Sequence, residues 1–173
     1  ELDANNYREV LQKMASTLNT LNIRDAICCV SELTVKDYDI AWKVRQAVMA
    51  CTNAAYKFDQ FKSKTEKDKD KKVSLQNVTF ILSSCREAEK AEVAIKIGLA
   101  LQAGLQLTKD LANTPPNVCH PTYIAKAAQK LAKTYKAVNV AVLERKDLQT
   151  LQMGAFLSVT QGSIQPPKLI TLE

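Results

Sequence analysis

The sequence predicts an α/β fold, and three observations carry the prediction. Amphipathic helical patterns alternate with short β-branched or apolar runs along the 173 residues. A Pro-Pro pair inside Leu111–Pro121 (LANTPPNVCHP) separates two long helical patterns and divides the chain into two parts. The second part continues the alternation, so parallel strands are expected there at least. No internal repeat is visible.

From Tyr7 to Leu21 the apolar residues Tyr7, Val10, Leu11, Met14, Leu18 and Leu21 recur at intervals of three and four, one face of an amphipathic helix. After Asn22, Ala26 to Val30 (AICCV) reads as a short buried strand. A second helix is expected from about Lys36 to Phe58, with Ala41, Val44, Val48, Cys51, Ala55 and Phe58 along one stripe. Lys62 to Lys72 (KSKTEKDKDKK) mixes both signs of charge and reads as a solvated loop. Val78 to Leu82 (VTFIL) is a strand pattern.

Ala88 to Ala112 is the longest helical pattern, with Glu87, Glu89 and Glu92 near its start and Lys109 near its end, as the helix dipole favours. Its second half (IGLALQAGLQL) is apolar on several faces, which predicts burial between two bodies. Gly98 and Gly104 are expected to admit a closely packed element, because glycine otherwise costs about 1 kcal/mol in a helix. The prolines then break the helix, and Asn113 and Thr114 can hydrogen-bond nearby backbone in its place. Pro121 suits the first turn of a helix reaching about Tyr135, with Ile124, Ala127, Ala128 and Leu131 inward. Val138 to Leu143 is a strand pattern, Lys146 to Leu151 a short helix, and Met153 to Thr160 a helix closed by Gly162 as its C′ residue. Lys168 to Leu172 is extended.

Composition excludes several classes of function. With 46% hydrophobic and 24% charged residues, the chain has the makeup of a soluble globular protein, and no apolar run approaches a membrane span. It opens at Glu1 without a methionine or a signal peptide and closes at Glu173 directly after PPKLITLE, so an excised piece of a longer protein is expected. The five cysteines form no CxxC pair, and Cys28, Cys29 and Cys51 lie in apolar stretches; buried thiols in a reducing cytosol are expected. A single histidine, His120, argues against a His-based metal site or a Ser-His-Asp triad and reads as a helix-opening residue. Cys119 beside it has no base in the sequence nearby to activate it. Trp42 is a core or packing residue, and Asp37, Asp39, Asp68 and Asp70 read as solvated acids. Dinucleotide, P-loop, HExxH and GxSxG motifs are absent. The net charge of +6 permits contact with nucleic acid, but the lysine run contains no arginine and no aromatic to stack on bases. Residue types and spacing lead to a cytosolic α/β fragment and name no catalytic, cofactor-binding or metal-binding residue within it.

Three stretches go further. DLANTPPNVCHPTYIAKAAQKLA resembles the segment that opens the catalytic domain of the leucine (cytosol) aminopeptidases, with Asn113, Pro115, Asn117 and Pro121 matching its pattern. YKFDQFKSK (Tyr56 to Lys64) resembles a segment late in that family's N-terminal domain, and MGAFLSVTQGSIQPPKLITLE resembles its Met-Gly…Gly-Ser…Pro-Pro stretch. The blocks stand in the family's order and spacing and span essentially the whole chain.

The resemblance implies a fragment of a two-metal exopeptidase. Residues 1–86 would be the later part of an N-terminal α/β domain, 87–112 an interdomain helix, and 113–173 the first βαβ-type elements of a truncated catalytic domain. The parent would remove N-terminal residues, leucine preferred, from peptides with two divalent ions, manganese or zinc. It would be cytoplasmic and hexameric. The family's catalytic groups and metal ligands lie in Gly-Lys-Gly-x-Thr-Phe-Asp-Ser-Gly-Gly and Asn-Thr-Asp-Ala-Glu-Gly-Arg segments. Neither occurs in this sequence, so no site residue carries over and the fragment alone is expected to be inactive and metal-free. The alternative reading is a DNA-binding or assembly module, since some bacterial members of the family also bind DNA.

Overall fold

The computed structural model describes residues 2–21, 23–63 and 75–173. Most of the expected lysine-rich loop, with Asp68 and Asp70, therefore lies outside the described residues. The fold is α/β, with element order α1 (Ala4–Thr20), β1 (Asp25–Cys28), α2 (Ile40–Ala55), β2 (Asn77–Phe80), α3 (Cys85–Asn113), α4 (Pro121–Thr134), β3 (Val140–Leu143), α5 (Arg145–Thr150), α6 (Gly154–Ser158) and β4 (Leu169–Leu172). The chain forms two compact units, the first ending at Lys109 and the second running from Asp110 to Glu173. No helix among the described residues is long and apolar enough to cross a membrane.

The first unit begins with two capped helices. Asp3 accepts a hydrogen bond from the Asn6 N–H at 2.8 Å and opens α1. Asp39 does the same for α2 through the Trp42 N–H at 3.0 Å, so this acid is a structural cap rather than a merely solvated group. Asp37 adopts φ 63, in the left-handed region, which stops the helix from starting at Lys36 as the apolar stripe suggested. At the other end Tyr56 turns extended, so Phe58 falls outside the helix.

The two helices pack around Tyr7, which is fully buried and donates its hydroxyl to the Lys43 carbonyl at 3.3 Å. Leu11, Cys28, Val30, Val35, Trp42 and Ala47 complete that core, and Trp42 stacks on Tyr38 at 4.0 Å. Lys43 is itself buried, its ammonium donating to the Leu33 carbonyl at 2.9 Å. A second cluster joins Ile40, Val44 and Val48 of α2 to Ala91 and Ala94 of α3, and Phe80 packs against both clusters.

Within this unit β1 and β2 pair in parallel, from Asp25 opposite Asn77 to Cys28 opposite Phe80. The connection between them contains α2, the kind of crossover element that a parallel pair requires. The AICCV run is not buried on both sides. Cys28 is buried, whereas Ile27 is 70% exposed and Cys29 is exposed, because the described sheet has two strands and only one covered face. All five cysteines are free thiols.

Gly98 fulfils the close approach expected of it. A Cβ there would lie 3.1 Å from Val48 Cγ1. Gly104 has nothing within 4 Å of the same position, so no packed element accounts for it. In the apolar second half of α3, Ile97, Leu99, Leu101 and Leu105 are all exposed. One stripe of the helix (Ala91, Ala94, Gly98 and Gln102) is buried, and small residues on it let α3 sit close to its neighbour.

In the second unit Pro121 occupies the first turn of α4 behind His120, and Ala125 and Ala128 are buried. Ile124 is exposed rather than inward; the close-packed face is set by alanines one position along. A reciprocal capping box opens α5, with Asp147 accepting from the Glu144 N–H at 2.8 Å, and Leu148 is fully buried behind it. No glycine adopts positive φ, so Gly162 is not the left-handed C′ residue expected, and α6 ends at Ser158.

Strands β3 and β4 pair antiparallel, Val140 opposite Leu172 and Leu143 opposite Leu169, which corrects the expectation of parallel strands in this part. The connection between them holds two short helices, α5 and α6, in place of the single crossover helix of a parallel βαβ unit. Lys168 and Glu144, an ion pair, brace the ends of that connection.

Three outcomes test this packing. Gly98→Val should destabilise the first unit by about 1–3 kcal/mol through overpacking against Val48, read by urea unfolding. Asp39→Ala should cost about 1 kcal/mol by removing the cap of α2, in the same measurement. Burial, reinforced by the nearby Cys51 and Cys29 thiols, pushes the Cys28 thiol up to about 11 from its ordinary 9.0. A raised thiol contributes stability that is complete below pH 9 and is lost as the unfolded thiol ionises while the folded one holds its proton. Unfolding free energy should therefore fall between pH 9 and 11, by up to about 3 kcal/mol, and less so in Cys28→Ala. A profile that rises or stays flat over that window would contradict the burial of Cys28.

Candidate functional site

The residues singled out from the sequence do not converge. His120 serves as the N-cap position of α4 without a side-chain cap bond, and its Nδ1 is buried without a hydrogen-bond partner. Cys119 beside it is half-buried. Among the described residues no group of three or more His, Cys, Asp or Glu side chains is placed to hold a metal ion.

The joint itself is tightly made. Thr114 is buried, and its hydroxyl and N–H both bond the Asp110 carbonyl, at 2.6 and 3.0 Å, closing the last turn of α3. The Val118 and Cys119 N–H groups both donate to the Pro115 carbonyl, at 2.9 and 2.8 Å, folding the segment after the prolines into a compact turn. His120 then accepts from Tyr123 and Ile124 through its carbonyl, and α4 begins. The segment closes α3 and opens α4, and presents no nucleophile with a base.

A concave feature of the first unit lies elsewhere, among the described residues. A cavity of about 180 Å³ is lined by α1, α2 and α3. Leu11, Met49, Ala50 and Leu105 supply its apolar part, and Arg8, Gln12, Gln46, Asn53 and Gln102 its polar part. Gln102 is 5% exposed, and its Oε1 has no hydrogen-bond partner. Arg8 lies on the exposed side, donating from Nε to Gln46 Oε1 at 3.2 Å and from Nη1 to Asn5 Oδ1 at 3.3 Å, with its guanidinium 5.3 Å from the Trp42 ring centroid. Sequence reading missed this cavity because its polar residues come from three separate helices with no local motif. The one available signal was Gln102, a polar residue in phase with Ala91, Ala94 and Gly98 on the buried stripe of α3.

Comparison with known proteins connects both units to one family. The model of the cytosol aminopeptidase family N-terminal domain matches residues 1–65, and that of the same family's catalytic domain matches residues 106–173. A probable cytosol aminopeptidase of Thioalkalivibrio sulfidiphilus is 41% identical over 173 residues, covering 100% of this chain and 34% of the relative. One from Nitrosospira multiformis is 43% identical over 176 residues, covering 100% of this chain and 33% of the relative. The chain thus spans about a third of the length of the curated relatives it matches. Among solved structures, a mutant of tomato leucine aminopeptidase superposes with TM-score 0.77 at 22% identity, over 98% of this chain and 33% of that one. The bottromycin maturation enzyme BotP in complex with Mn superposes with TM-score 0.77 at 20% identity, over 96% and 32%; these two likenesses establish the fold. With both domains of one family matched in order, and relatives near 40% identity over the full span, the chain belongs to the cytosol aminopeptidase family.

Proposed function

We propose that the whole protein is a metal-dependent aminopeptidase that releases N-terminal residues, leucine preferred, from peptides in the cytoplasm. The observation that carries this reading is the ordered match of both family domains to a chain about 40% identical to proteins named cytosol aminopeptidases. A Mn complex of the structural neighbour BotP supports metal dependence. The residue types at hand do not fit a metal centre: among the described residues no His, Cys, Asp or Glu cluster of three exists. The two family segments that carry metal ligands are likewise missing from the sequence. No step of peptide hydrolysis is therefore assigned to a residue of this chain.

In this reading residues 1–86 form part of the N-terminal domain, 87–112 link it to the catalytic domain, and 113–173 open the latter. The metal ligands and catalytic groups belong to the remainder of the protein; the whole protein acts on peptide substrates and assembles as a hexamer. The chain of 173 residues supplies scaffold and no chemistry of its own.

Calorimetric titration of manganese and zinc tests this division. The whole protein should bind two ions per subunit and hydrolyse a leucine anilide; the chain of 173 residues should do neither. Stoichiometric metal binding by the shorter chain would place ligands within it and require the assignment to be rebuilt. A whole protein that binds both ions but leaves the anilide intact would overturn the substrate preference.

A further inference from the structure

We draw no further inference here: the strongest candidate, the exposed apolar face of α3 that carries Val93, Ile97 and Leu101, supports no proposal because nothing in the structure shows what covers it.

Discussion

The first unit depends on one buried phenol. Tyr7 is fully enclosed, and its hydroxyl must find an acceptor inside the protein, which it does at the Lys43 carbonyl. Burial also pushes the Tyr7 phenol strongly upward, so it stays neutral and a donor throughout the physiological range. That bond fixes the register of α1 against α2. Trp42, 5.5 Å away between ring centroids, is then held where Tyr38 and Arg8 can cover it. The buried face of α2 is consequently committed on both sides, with Ala47 toward one cluster and Val44 and Val48 toward the other. A helix used this way leaves no freedom for α3 except a close approach, which Gly98 supplies.

The fold class and most elements were legible because they are written in local patterns. The Tyr7, Leu11, Met14 spacing gave α1, the Pro121 start gave α4, and VTFIL gave β2. The errors cluster where a local signal met a tertiary one. Asp37 in the left-handed region shortened α2, and hydrophobic periodicity has no means of showing a single backbone angle. Ile27 and Ile124 suggest inward positions by type, yet Ile27 lies on the uncovered side of its strand and Ala125 and Ala128 take the buried positions of α4. The antiparallel β3–β4 pair is joined by two short helices in place of a single crossover helix, and alternation alone leaves strand direction open.

Site reading divides in the same manner. The absence of catalytic motifs could be read directly, since motifs are contiguous in sequence. The cavity around Gln102 could not, because its residues are drawn from positions 8, 46, 53 and 102, and only packing brings them together. Family membership came from contiguous blocks around Asn113–Pro121 and is carried by the same kind of local information.

Both described sheets have two strands, one parallel and one antiparallel. A two-stranded ribbon satisfies only the inner row of its amide and carbonyl groups; the outer row of each strand faces whatever lies beside it. Such edges accept another strand readily, whether that strand is a proper continuation of the fold or a neighbouring molecule in a concentrated solution. With Ile27 and Leu172 exposed along them, the described strands also present apolar side chains. In the isolated chain such margins therefore oppose the mutual repulsion that a net charge of +6 provides.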